Sequence, residues 1–206
     1  MTEKESMLSG QLYLANDREL AEASHRARRL TRLFNSTTEE EPATRTKLLR
    51  ELFHETGEHL WIEPPFHCDY GCQISVGDHF YANYDCIMVD VCPVTIGARV
   101  LFGPRVCVFT AGHPTDPGVR ASQLEFGKPV TVKDDVWIGG GAILNPGVTI
   151  GAGTIIGSGA VVTKDIPAGV IAVGNPCRVL RTITREDRVY WEAQARTYWA
   201  GKERQA

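Results

Sequence analysis

The chain carries six histidines, at 25, 54, 59, 67, 79 and 113, and six cysteines, at 68, 72, 86, 92, 107 and 177, and these are the first places to look for chemistry. An imidazole with an ordinary pKa of about 6.5 takes up a proton near neutral pH and gives it back, which is what a general base must do. His113 is the one whose surroundings suit that task. In Thr110-Ala-Gly-His-Pro it ends a run of regularly spaced apolar residues, directly before a segment containing Pro114, Pro117 and Pro129. It therefore sits where a repeat surface meets a loop. His25, His54 and His59 read as helix-face residues, and His67 and His79 as surface or coil-edge residues. Asn83 offers an amide that both donates and accepts, suited to an oxyanion or a hydroxyl, although a turn asparagine would look the same. The cysteines form no Cys-x-x-Cys pair and read as buried or semi-buried thiols. A zinc set of His67, Cys68 and Cys72 would lack a fourth ligand at familiar spacing.

The elements that hold these residues follow from a period of six. Val132, Ile138, Leu144, Ile150, Ile156, Val162 and Ala168 form one column, and Val136, Ala142, Val148, Thr154, Ala160 and Ile166 form a second, two positions ahead. Gly139, Gly151, Gly157 and Gly169 follow members of the first column. A helix needs 3.6 and a half-buried strand needs 2, so a sustained six fits neither. It fits a parallel β-helix in which each hexad makes one short side and three hexads make a triangular coil around an aliphatic rod. The same period appears earlier as Val76, Ala82 and Met88, then, after a slip of two, as Ile96, Phe102 and Val108. Residues 114–129 read as an excursion loop thrown out of one coil.

Residues 1–59 differ in kind. Asp17 is placed to cap a helix with the stripe Leu20, Ala23, Ala27, Leu30 and Phe34, and Pro42 and Gly57 bracket a second helix bearing Leu48, Leu49, Leu52 and Phe53. The fold class is mainly β: a hexapeptide-repeat solenoid over residues 60–178 with an N-terminal α-helical cap over 1–59. The tail, 179–206, is expected to carry a short helix from Arg185 to Trp199. Hydrophobic residues make up 43% and the net charge is -3, which excludes a disordered chain and gives no overall electrostatic reason for a nucleic acid or membrane partner. With a charged start and no apolar run of about 18 residues, the expected location is the cytoplasm.

Four strings make the reading more specific: "FYANYDCIMVD" from Phe80, "TAGHPTDP" from Thr110, "VWIGGGAILNPGVTIG" from Val136 and "VTKDIPAGVIAVGNPCRV" from Val162. Together with "GQLYLANDREL" from Gly10 and "LFN" from Leu33, they resemble the maltose and galactoside O-acetyltransferase family of hexapeptide-repeat acyltransferases, and look most like its maltose branch. The resemblance implies a left-handed β-helix, acetyl-CoA as co-substrate, no metal requirement, and homotrimers with sites between subunits. It implies a sugar acceptor such as maltose, glucose or a glucoside, acetylated at a hydroxyl, expected to be the 6-hydroxyl. His113 is then the catalytic base, and Asn83 positions the acceptor and supports the transition state. The transfer would be direct, within a ternary complex, and the cysteines would be structural.

Asp69, Asp17 and Trp137 are the remaining acceptor-site candidates; for Asp17 a helix cap explains the residue equally well. Gly140, Ser158, Thr163, Lys164, Arg178 and Arg181 lie where the family contacts its donor, with Gly140, Gly141 and Ser158 narrow enough for a pantetheine arm and the basic residues suited to phosphates. The galactoside branch has serine where Asp69 stands and aspartate where Val91 stands, which speaks against a galactoside acceptor. Other readings of the same fold are acetyl transfer to an antibiotic or a signalling oligosaccharide, a β-helix carbonic anhydrase, or a scaffold without catalysis.

Overall fold

A computed structural model describes residues 1–203. Strands of two to four residues wind into five full coils and part of a sixth, and equivalent strands pair in parallel along three flat faces. The first face stacks Glu55–Thr56, Ile74–Val76, Val94–Ile96, Val130–Val132 and Thr149–Ile150. The second stacks Leu60–Ile62, Phe80–Ala82, Leu101–Phe102, Trp137–Ile138, Ile155–Ile156 and Val170–Val173. The third stacks Phe66–Cys68, Cys86–Val89, Cys107–Phe109, Ile143–Leu144 and Val161–Val162.

Both six-residue columns point inward. Val132, Ile138, Leu144, Ile150, Ile156 and Val162 are buried, and so are Val136, Ala142, Val148, Thr154, Ala160 and Ile166. Each fully buried Val, Leu or Ile stabilises the rod by about 1.5–3 kcal/mol. The earlier columns, Val76, Ala82 and Met88, then Ile96, Phe102 and Val108, are equally buried. Ala168 departs from the expected column and is exposed. Ile166 bridges to Ile150 and Val170 supplies the next buried side chain, so the last coil reaches its core positions on a different spacing.

Corner backbone sets the glycines. A Cβ on Gly139 would lie 2.5 Å from Ser158 N, and one on Gly57 would lie 2.4 Å from Asp78 Cα. Gly57 is thus a coil corner and not the stop of the second helix, which ends at Leu52 with Phe53 as its C-cap. Glu55–Thr56 already pairs with Ser75–Val76, so the rod begins before residue 60. His54 and His59, expected on a helix, lie beyond it.

The cap has three helices: α1 (Glu3–Leu8), α2 (Arg18–Asn35) and α3 (Pro42–Leu52). Of the expected stripes, Leu20, Ala27, Leu30, Phe34, Leu49, Leu52 and Phe53 are buried, and Ala23 and Leu48 are half-buried against the cores. α1 escaped the sequence reading, although Thr2-Glu-Lys-Glu is a capping box: Thr2 Oγ1 accepts from Glu5 N at 3.1 Å, and Glu5 Oε2 accepts from Thr2 N at 2.8 Å. The open edge of the first coil is satisfied by side chains. The Asn35 amide donates to Phe66 O at 2.9 Å and accepts from Phe66 N at 2.8 Å, standing in for the next strand. At the far end, Arg178–Thr182 folds back antiparallel on Val170–Val173 and leads into α5 (Arg185–Glu203), which runs past the expected Trp199. No helix among the described residues is long and apolar enough to cross a membrane.

Candidate active site

Residues of the third-to-first corner bring the chemistry together. The loop out of the third coil is organised, with a short helix, α4 (Pro117–Ala121), and a hairpin of Ala111–Gly112 with Leu124–Gly127. Its strand also pairs with the N-terminal segment, Tyr13 opposite Glu125 and Leu14 opposite Leu124. The loop is therefore held from two sides, by the coil it leaves and by the cap.

His113 lies exposed in a cleft of ≈ 410 Å³ lined by Ala15, Asn16, Arg120, Gln123 and Glu125. An adjoining cleft of ≈ 340 Å³ shares Ala15 and Glu125 with the first and is walled by Tyr13, Ser24, His25, Arg28, Asp69 and Tyr70. Glu125 stands between the two chambers and accepts from the Tyr13 hydroxyl at 3.0 Å. Sequence reasoning missed Glu125, Arg28 and Tyr13; the signal was tertiary, since Tyr13 meets Glu125 through strand pairing across more than a hundred residues and Arg28 reaches Asp69 from α2.

Burial raises the Asp69 carboxyl above its usual range; Arg28 opposes this and Glu125 adds to it. Burial, with Asp69, Glu125 and Asp90 adding to it, lifts the Tyr70 hydroxyl to about 12. Beneath the clefts, Asp90 is fully buried and accepts from the backbone N–H groups of Asp69 at 3.0 Å, Tyr70 at 2.9 Å and Gln73 at 3.4 Å. It thereby fixes the turn that presents Asp69. Burial pushes Asp90 up to about 7, against those amides. Val91, buried beside it, forms part of the wall of the second cleft.

Asp17 caps α2 through Oδ1, which accepts from Glu19 N at 2.9 Å and Leu20 N at 3.3 Å. It lies next to the cleft residues Ala15 and Asn16. Its cap role is thus explicit in the geometry.

Asn83 stands elsewhere. It follows Phe80–Ala82 at the second-to-third corner, half-buried, with Oδ1 accepting from Tyr84 N at 2.8 Å. Trp137 is 52% exposed on the second face, in register with Leu101 and Ile155. Along the corner below Asn83 the side chains thin out. Asp85 and Arg105 form an ion pair at 3.8 Å in the upper coils, whereas Gly141 and Gly159 hold the corresponding left-handed positions lower down, with Gly140 and Ser158 beside them. The lower corner is a bare backbone groove.

The donor-site candidates divide between edges. Gly140 and Ser158 lie on the Asn83 corner, and Arg178 pairs with Val173 near it. Thr163 and Lys164 are exposed on the His113 corner. Arg181 is engaged by Asp187 of α5, at 2.5 and 2.9 Å, and this pairing lowers the Asp187 carboxyl to about 2. One chain thus presents His113 on one edge and the Asn83 amide on another.

Burial raises all six cysteine thiols, Cys86 to about 11. Thiolate formation is disfavoured at each, which suits packing better than nucleophilic attack. On their strand His67 is exposed while Cys68 turns inward, so the zinc set considered above is not assembled.

Comparison with known proteins places these features in context. Residues 6–57 match the maltose acetyltransferase hexapeptide capping motif, and residues 129–164 match the bacterial transferase hexapeptide (six repeats). A maltose O-acetyltransferase from Clostridium difficile 630 is 51% identical and superposes with a TM-score of 0.89, over 90% of this chain and 99% of that one. A galactoside acetyltransferase solved in complex with coenzyme A is 38% identical, with a TM-score of 0.88 over 91% and 94%. Nodulation protein L of Rhizobium meliloti (strain 1021) is 47% identical over 178 residues, 86% of this chain and 97% of the relative.

Proposed function

Because the chain belongs to the maltose/galactoside acetyltransferase family of hexapeptide proteins, we propose that it transfers an acetyl group from acetyl-CoA to the 6-hydroxyl of a glucosyl sugar such as maltose, glucose or a glucoside. The enzyme class, an acetyltransferase using acetyl-CoA on sugar acceptors, follows from that membership. The acceptor and the residue roles are the proposal. The observation that carries them is the pair of adjoining clefts, with His113 lining one, Asp69 the other and Glu125 both.

In this reading a hydroxyl enters beside His113, and the imidazole takes its proton as the oxygen attacks the thioester carbonyl. Asn83 of a neighbouring copy donates to the oxygen that becomes negative, and collapse breaks the C–S bond. The proton on His113 then passes to the departing thiolate. Asp69 and Glu125 accept from other sugar hydroxyls, with charge-assisted bonds orienting the ring. Pantetheine lies along the bare corner at Gly140, Gly141 and Ser158, and Thr163, Lys164 and Arg178 contact the donor from the two edges. The placement of His113 and Asn83 on different edges supports a trimer in which the edge of one copy faces the next.

Thiol release from acetyl-CoA, measured across maltose, glucose, methyl glucosides, galactosides, an aminoglycoside and an amino-sugar oligosaccharide, tests the reading. Turnover on glucosyl sugars, with NMR placing the ester on the 6-oxygen, is expected. His113→Ala should then lower kcat by about 10²–10⁴-fold. Turnover confined to the aminoglycoside or the oligosaccharide would replace the acceptor, and an unchanged His113→Ala rate would remove the base.

A further inference from the structure

A second group of polar side chains gathers away from the cleft, at the first-to-second corner of the first two coils. His59 and His79 occupy adjacent rungs, their rings stacked with centroids 4.6 Å apart and planes 1° from parallel. Asp78 stands against both, with Oδ1 3.2 Å from His59 Nδ1 and Oδ2 3.5 Å from His79 Nε2. One donor atom from each of the three lies within 4.8 Å of the other two. None of them takes part in the acetyl transfer described above. We propose that His59, Asp78 and His79 form a binding site for a divalent transition-metal ion of the zinc type, joining the first and second coils at the solvent edge.

The donor set is two imidazole nitrogens and one carboxylate oxygen. That mixture suits zinc and its neighbours, whereas magnesium and calcium prefer oxygen throughout. Three protein donors on one side leave the remaining position to water.

The backbone fixes where these donors start from. His59 N donates to Asp78 Oδ1 at 2.7 Å and His79 N donates to His59 O at 2.6 Å, so the two corners are tied and their Cα atoms cannot spread. His79 holds a φ of 57°, in the left-handed region that side chains rarely enter. The corresponding residues of later coils show what this corner does with side chains. Arg99 and Asp135, also left-handed, meet in a two-point ion pair at 2.6 and 2.8 Å, and Gly153 and Gly169 carry none. The corner aims successive side chains at one another, and in the first two coils those side chains are metal donors.

Zinc–nitrogen bonds of about 2.0–2.1 Å require the donors to close further than they stand. The side chains of His59, Asp78 and His79 are 59%, 43% and 61% exposed, so they have room to turn.

The experiment uses the full chain, stripped with EDTA and titrated with zinc chloride, read by calorimetry and thermal melting. Saturable micromolar binding and a rise in Tm that EDTA reverses are expected, with no response to magnesium. His59→Gln and His79→Asn should each weaken binding at least ~10-fold and abolish the rise; asparagine tolerates the left-handed backbone of residue 79. No saturable binding by the parent chain, or undiminished affinity in both variants, overturns the site. If His79→Asn fails to fold, His59→Gln decides alone, since residue 59 is outside the left-handed region.

Discussion

In the proposed reading acceptor choice turns on Glu125, because it alone borders both clefts with a carboxylate and accepts from the Tyr13 hydroxyl. Glu125→Gln keeps the shape and removes the charge. A hydrogen bond to a charged group is worth about 1.5–3 kcal/mol, so KM for the sugar should rise by roughly tenfold or more while KM for acetyl-CoA stays level. Steady-state kinetics with each substrate varied in turn will show it. Asp90 governs a different property. Its folded pKa, about 7, lies above the ordinary 3.8, so the folded state holds the proton more tightly than the unfolded chain. Stability from this group is complete below about pH 4 and is lost as pH rises toward 7. Asp90→Asn removes that dependence. Melts across pH 4–8 should find the variant's deficit shrinking as pH rises, and a deficit independent of pH would contradict the assignment.

At the scale of the element, the corners matter more than the strands. Two or three residues per side leave little room for error where one coil lies on the next, and Gly139 shows the tolerance. A methyl group there would meet Ser158 N at 2.5 Å, so Gly139→Ala should cost about 1–3 kcal/mol, read as a lower urea midpoint. The aliphatic columns were legible in the sequence because a solenoid repeats its environment every six residues, and α2 was legible from its cap and stripe. Ala168 was misassigned because the terminal coil has no successor to enforce the spacing. The position of His113 at the edge of the loop was legible because the loop announces itself through its prolines. Glu125, Tyr13 and Arg28 were not, because no local pattern marks two residues that meet only when an N-terminal strand pairs with a loop beyond the third coil, or a third that reaches the cleft from α2. Gly57 looked like a helix stop for a related reason: a corner and a C-cap both call for the same small residue.

For the whole molecule, the second face is the conspicuous surface. Trp61, Tyr81, Leu101, Trp137, Ile155 and Ile171 stand in register along its outer side. Trp61, Leu101 and Trp137 are 39%, 48% and 52% exposed. With the base and the amide on different edges, the proposed trimer predicts a sedimentation mass of three chains, and a monomer that turns over acetyl-CoA would refute it. α5 contributes little to the folded rod: Val189, Tyr190, Trp191, Tyr198 and Trp199 are all exposed, and Arg181–Asp187 is its principal tie. Ending the chain after Thr184 should leave Tm within about 2 °C of the parent, in keeping with the small effect of surface changes.

The pairing of Tyr13–Leu14 with Leu124–Glu125 has one more consequence. The β-stack is held by its own aliphatic interior, whereas the proposed acceptor cleft borrows a wall from Tyr13, Ala15 and Asn16. Proteolytic nicking near Asn16 would therefore free Met7 and Tyr13 from the small buried cluster they form with Leu20, Tyr70 and Val91, leaving the aliphatic rod intact while the proposed acceptor cleft loses a wall. For an enzyme of this design, heat resistance is a poor certificate of competence.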